Sequence, residues 1–221
     1  MKHNAPLVIF DWDGTLVDSI GIISQTLVDS ATTLGASLTL NSAKQVIGLG
    51  LPQAAQALFP KQSLGFHQQF VAQYKALFVG TACEPMPFPG AMALLQELHV
   101  QGFGLAIATG KARFGLDRAL RVSGLQDFFT STRCADETKS KPHPLMIYEI
   151  LAEMNHSQQP VFMVGDTTHD LFLAHNAGVT AVAITTGAHS KQQLQLANPH
   201  CLCENLDQVA RFIHRSVQNL L

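Results

Sequence analysis

The sequence predicts an α/β fold, a doubly wound parallel sheet with a small all-helical domain inserted after its first strand. Two observations lead there. Short apolar runs recur along the chain with helical patterns between them, and a single long stretch, from about Asp18 to Val79, breaks that alternation. Strand alternating with helix is the pattern of a parallel sheet joined by right-handed crossovers.

The first strand is Leu7 to Phe10, followed by Gly104 to Ala108, Val161 to Val164, Ala181 to Ile184 and Cys201 to Cys203. Each run is continuously apolar rather than alternating, as expected for strands covered on both faces. Helical spacing appears over Ala91 to Val100, Leu116 to Val122, Leu145 to Met154 and Asp170 to Ala177. Inside the insert the periodic residues are Ile22, Ile23 and Leu27, Val46 and Ile47, Ala54, Ala57 and Leu58, and Phe66, Phe70, Tyr74, Leu77 and Phe78. The aromatic residues at spacing four read as a packing stripe on one helix face. The prolines at 85, 87 and 89 stiffen the return to the sheet and forbid a helix until after Gly90. The expected division is a discontinuous core, 1–17 plus 85–221, and an insert at 18–84.

The chain has 221 residues, with 14 Lys and Arg against 16 Asp and Glu and a formal net charge of −2. That balance argues against nucleic acid as a partner, which demands a clustered basic surface. No run reaches the roughly 18 to 20 apolar residues of a membrane span, and Asp11 interrupts the only apolar segment near the start, so no membrane partner and a cytoplasmic location are expected. Cys83, Cys134, Cys201 and Cys203 are too few for a disulfide framework and read as free thiols. The histidines, among them His67, His99, His143, His156, His169 and His175, are scattered without a metal-binding spacing on one helix. The sequence is silent on oligomeric state.

Ligands of a doubly wound sheet bind beyond the carboxyl ends of its strands. Those ends carry Asp11 and Asp13, then Thr109-Gly110, then Gly165-Asp166. Carboxylates gathered at one mouth repel one another unless a cation sits among them, and oxygen donors with few imidazoles or thiols select Mg²⁺. A Mg²⁺ site with hydroxyl and amide donors suggests a phosphate ligand. Asp13 or Asp18 alone would read as a helix cap, as would Ser19.

Together these segments resemble the motifs of the haloacid dehalogenase superfamily. Asp11-Trp12-Asp13-Gly14-Thr15-Leu16-Val17-Asp18-Ser19 is similar to its first motif, Ala108-Thr109-Gly110 to its second, Ser140-Lys141-Pro142-His143-Pro144 to its third, and Gly165-Asp166-Thr167-Thr168-His169-Asp170 to its fourth. The order matches, and the resemblance spans the chain. It implies a Rossmann-like core with a helical cap of the type shared by phosphoglycolate phosphatases, sugar phosphatases and 2-haloacid dehalogenases.

The resemblance also implies roles. Asp11 would be the nucleophile and form an aspartyl-phosphate, Asp13 the acid and base, and Lys141 the residue neutralising charge. Thr109, Gly110, Gly14 and Lys141 would hold the phosphoryl oxygens, and Asp11, Asp13, Asp166 and Asp170 a Mg²⁺ ion. The implied activity is hydrolysis of a small soluble phosphate monoester, phosphoglycolate-like, a sugar phosphate or a nucleotide. A retained acid at Asp13 points away from dehalogenase and phosphonate chemistry. Mutases of this cap type carry a hinge histidine where this chain has Ile23, and His169 stands where many relatives have Asn. A phosphotransferase or a catalytically silent phosphate-binding regulator are the alternatives. Lys111, after Thr109-Gly110, reads as a solvated residue, because the segment lacks the glycine and hydroxyl spacing of a phosphate-binding loop. Lys44 and the loop Gly48 to Leu51 are candidates for recognising the leaving group.

Overall fold

A computed structural model describes residues 5–79, 85–156 and 160–218. Cys83 and the end of the insert at 84 lie outside the described residues. The sheet has six parallel strands in the order β3-β2-β1-β4-β5-β6. They are β1 (Leu7–Phe10), β2 (Gly104–Thr109), β3 (Ser131–Cys134), β4 (Val161–Gly165), β5 (Thr180–Ile184) and β6 (Cys201–Cys203). The reversal of strand order falls between β1 and β4, which pair in register from Leu7 with Val161 to Phe10 with Val164.

Alternate residues of β1 point to opposite faces, and both faces are covered. Val8 and Phe10 join one apolar cluster with Leu94, Leu95 and Leu98 of α5 (Ala91–Val100), Leu116 of α6 (Arg113–Ser123) and Val209 and Ile213 of α10 (Leu206–Gln218). Leu7 and Ile9 join the other, with Met146, Ile147 and Ile150 of α7 (Leu145–Glu153), Leu171 and Leu173 of α8 (Thr168–Ala177) and Leu194 of α9 (Lys191–Leu196). Every residue of β1 is fully buried, which is why the run is apolar without alternation.

The edge strand β3 departs from the sequence reading, which assigned no strand there. Ser131 and Cys134 are buried, but Thr132 and Arg133 between them are only half-buried. The polar positions find partners on α7: the Arg133 guanidinium is 3.1 Å from Glu149 and 2.8 Å from Glu153, and the Ser131 hydroxyl donates to Glu153 at 2.6 Å.

Between β1 and α5 lie four helices, α1 (Ile20–Thr33), α2 (Leu40–Lys44), α3 (Leu51–Leu58) and α4 (Leu64–Val79). They bury a third cluster centred on Leu27, Ala31, Ala55, Phe59 and Phe70. The rings of Phe66 and Phe70 both meet Phe59 edge-on, at centroid distances of 5.1 and 5.2 Å. The aromatic stripe of α4 is thus packing at its first half. Its second half, Tyr74 and Phe78, also borders a cavity. Among the described residues no helix is long and apolar enough to cross a membrane.

Candidate active site

The carboxyl ends of β1, β2 and β3 meet the helical segment around a cavity of about 540 Å³. Asp11 follows β1 directly, and its amide donates to Val164 O at 2.9 Å, so the ladder to β4 holds it at the sheet edge. The chain then folds back over 12–17. Trp12 is buried in the core and its carbonyl accepts from the amides of Leu16 and Val17, while the Gly14 amide donates to Val17 O at 2.8 Å. Gly14 sits at φ +82, and a Cβ there would stand 2.5 Å from Asp166 Oδ2, so both conformation and space require glycine.

Asp11, Asp166 and Asp170 each bring a carboxylate oxygen within 4.8 Å of the others, and all three are buried. Asp166 ends β4, where its oxygens accept from the Thr15 hydroxyl and the Ala188 amide, both at 2.8 Å. Asp170 completes a capping box at the start of α8 with Thr167, whose amide and hydroxyl donate to Oδ2 at 3.0 and 2.7 Å. Its other oxygen faces Lys141 Nζ at 2.5 Å, and the same ammonium is 2.9 Å from Asp11 Oδ1. Despite that neighbour, neither Asp11 oxygen receives a well-directed hydrogen bond, and both are buried.

The electrostatics follow from burial. Desolvation, opposed by Lys141 and reinforced by Asp170 and Asp13, pushes the Asp11 carboxyl up to about 7. Burial, then Asp11 and Asp170, holds Asp166 well above the usual carboxylate range. Burial alone would lower the Lys141 pKa, but Asp11 and Asp170 reverse that and keep it above the ordinary lysine value. Three acids with one ammonium leave surplus negative charge, and every donor is an oxygen. That set suits a hard divalent cation.

The Asp13 side chain is not part of this trio of carboxylates. Its carboxylate accepts from Lys111 Nζ at 2.9 Å on both oxygens and from the Ser19 hydroxyl at 2.8 Å. Two readings change with these contacts. Lys111 is no solvated residue: its side chain is only 12% exposed. Ser19 occupies the N-cap position of α1 but makes no cap bond, its hydroxyl being spent on Asp13. The sequence offered one clue to Lys111, its place two residues beyond a strand's carboxyl end, where ligands of such sheets bind.

Thr109 is buried at the end of β2, and its hydroxyl accepts the Lys111 amide at 3.2 Å. Gly110 touches the helical segment: a Cβ there would lie 2.5 Å from Gly48 O and 2.6 Å from Leu49 O. Gly48, Leu49 and Leu51 of the loop line the cavity, whereas Lys44 does not. Further bonds tie the loop region down. The Ser140 hydroxyl accepts the Gly50 amide at 2.8 Å, His169 Nε2 meets Gln45 O at 3.0 Å, and Gln193 Nε2 donates to the Gln45 side chain at 2.6 Å.

The family model for haloacid dehalogenase-like hydrolases matches residues 8–184. Among curated proteins, "Probable phosphatase IndB" of Dickeya dadantii is 34% identical over 215 residues, 95% of this chain and 94% of that one. A phosphoglycolate phosphatase of Agrobacterium fabrum is 28% identical over 193 residues, 83% of this chain and 82% of its own. Among solved structures, a haloacid dehalogenase-like family hydrolase from Streptococcus pneumoniae superposes with a TM-score of 0.79 at 23% identity, covering 96% of this chain and all of the other. The sheet order, the acids at the ends of β1 and β4, and a family match from β1 to β5 agree: the chain belongs to the haloacid dehalogenase-like hydrolases.

Proposed function

We propose that the chain is a Mg²⁺-dependent phosphatase that hydrolyses a small phosphate monoester through an aspartyl-phosphate on Asp11. The observation that carries this reading is the Asp11 carboxylate, buried with neither oxygen receiving a well-directed hydrogen bond, 2.9 Å from the Lys141 ammonium and bordering the cavity. A carboxylate so placed is a nucleophile waiting for an electrophile. The names of the relatives, phosphatase and phosphoglycolate phosphatase, support the same chemistry.

In the first step an Asp11 oxygen attacks phosphorus, the ester P–O bond breaks, and Asp13 gives its proton to the departing oxygen. In the second, Asp13 takes a proton from water, whose oxygen attacks phosphorus, and the aspartyl P–O bond breaks to free phosphate. Lys141 keeps its charge against Asp11 and Asp170, and Thr109 and the amides of Trp12 and Asp13 orient the phosphoryl oxygens. A Mg²⁺ ion held by Asp11, Asp166 and Asp170 would offset the phosphoryl charge. Residues 18–84 act as a cap: the Gly48 to Leu51 loop, Tyr74 and Phe78 close the cavity over the leaving group and exclude water.

Phosphate release from a panel of small esters, with and without Mg²⁺ and with Asp11→Asn beside the wild type, tests this. Hydrolysis by wild type alone, and only with metal, is expected. Release by Asp11→Asn at the wild-type rate overturns the reading.

A further inference from the structure

The two sides of the cavity differ in chemistry. The sheet side carries the groups already described, Asp11, Asp13, Thr109 and Lys111. The cap side is walled by hydrocarbon, from Ile23 and Leu27 of α1 through Val46 and Ile47 to Val71 and Phe78 of α4. The first four are buried members of the cap's own apolar cluster, so the cavity opens onto that core rather than onto a polar surface.

Polar groups on the cap side are few. Among the described residues that the insert contributes to the cavity, only Gln53, Tyr74 and Lys75 have polar side chains, and Gln53 and Lys75 are exposed. The Tyr74 hydroxyl has no hydrogen-bond partner among the described residues. Burial, then the Asp13 charge, holds its pKa above the ordinary tyrosine value, so it remains a donor. Across the cavity the Lys111 ammonium is taken up by both Asp13 oxygens at 2.9 Å, and the exposed Asp136 accepts the Arg113 amide.

With a phosphoryl group against Asp11 and Thr109, the rest of the cavity, and so the leaving group, lies on the cap side. A polyhydroxylated leaving group seated there gives up its water and faces hydrocarbon, with one tyrosine hydroxyl in compensation. An alkyl or aryl group gains instead for every methylene withdrawn from water. The cavity, about 540 Å³, is within the size range of sites that enclose ligands much larger than a two-carbon alcohol.

We infer that the site takes phosphate esters of apolar alcohols, the hydrocarbon part packing on Val71 and Phe78 and the Tyr74 hydroxyl supplying the single polar contact from the cap. This rests on the phosphatase reading and names the leaving-group class for it.

The test compares kcat/KM in Mg²⁺ for ethyl phosphate, hexyl phosphate and glucose 6-phosphate, the last two alike in size and opposite in polarity. A buried methylene is worth about fourfold, so hexyl phosphate is expected to exceed ethyl phosphate about a hundredfold. It is expected to exceed glucose 6-phosphate at least about tenfold, the cost of a hydroxyl left without a partner. Val71→Trp, which fills part of the cap side, should draw the hexyl-to-ethyl ratio toward unity, a thermal melt showing that the variant is folded. Equal handling of hexyl and ethyl phosphate by wild type, or a preference for glucose 6-phosphate over hexyl phosphate, overturns the inference. So does a hexyl preference undiminished in folded Val71→Trp. The wild-type comparison needs no variant to fold. If ethyl phosphate is hydrolysed with Mg²⁺ by wild type and not by Asp11→Asn while the hexyl preference is absent, only this inference falls. If no ester is hydrolysed, the phosphatase reading falls and takes it along.

Discussion

Gly110 and Gly48 meet backbone to backbone: the space where a Gly110 side chain would begin is taken by the Gly48 carbonyl oxygen, 2.5 Å from an ideal Cβ. The contact joins the end of β2 to the loop ahead of α3, and backbone cannot swing aside as a side chain can. Gly110→Ala is expected to push that loop off the strand end and lower kcat/KM roughly tenfold or more through a raised KM, at an overpacking cost of about 1–3 kcal/mol. Ser140→Ala, which removes a single hydrogen bond to Gly50 on the same seam, should cost only about 1 kcal/mol. Steady-state kinetics and thermal melts on the two variants check this ordering.

Asp11→Asn is expected to abolish turnover, by at least about 10⁴-fold, while raising the melting temperature of the protein in EDTA. Loss of rate follows from loss of the nucleophile. The gain in stability follows from removing one of three acids crowded together in a buried site. A melt in chelator beside a single-turnover assay reads both.

The stability of the metal-free protein should fall with rising pH. Burial raises the folded-state pKa of Asp11 from 3.8 to about 7 and that of Asp166 in the same direction. The folded state therefore binds more protons than the unfolded chain once pH passes about 4, and the stabilisation present below that value is lost as pH climbs through about 7. His169 and His189, whose burial lowers their pKa, work the opposite way. Comparing melts with and without Mg²⁺ at each pH cancels their share. The Mg²⁺-induced rise is expected to be larger at pH 8 than at pH 5, and about 2 kcal/mol of metal binding would move Tm by about 4–8 °C.

Lys141→Met removes the ammonium that lies between the buried carboxylates of Asp11 and Asp170. A loss of about 3–5 kcal/mol is expected near neutral pH, with partial recovery on acidification, because protonating the acids relieves the same imbalance. Denaturant titrations at pH 5 and pH 8 separate this from a simple packing defect, which would not depend on pH.

What the sequence made legible follows from where the information is local. Strands β1, β2, β4 and β5 announce themselves as apolar runs because both faces are covered, β6 is apolar too although two of its three residues are half-buried, and the acids after β1 and β4 are readable as soon as the strands are. β3 hid because an edge strand satisfies its polar side chains on one neighbouring helix, so Arg133 and Ser131 look like loop residues until Glu149 and Glu153 are placed beside them. Lys111 and Asp13 lie 98 positions apart, and Ser19 resembles a cap in any linear reading. Nothing local distinguishes a solvated lysine from one folded onto a carboxylate; only the parallel pairing of β1 with β2 decides it.

The placement of β1 at the middle of the sheet has a consequence for synthesis. The Thr15 hydroxyl finds Asp166 151 positions later, and the fully buried strand just before it pairs on that side only with β4. At about 5–20 residues per second a ribosome needs roughly 8–30 seconds to deliver that partner. Through that interval one edge of an all-apolar strand stands unpaired, while the four helices that follow it can already collapse on Phe59 and Phe70. The nascent chain is thus most exposed to aggregation, and most dependent on chaperones, in the window between completing its helices and completing its sheet.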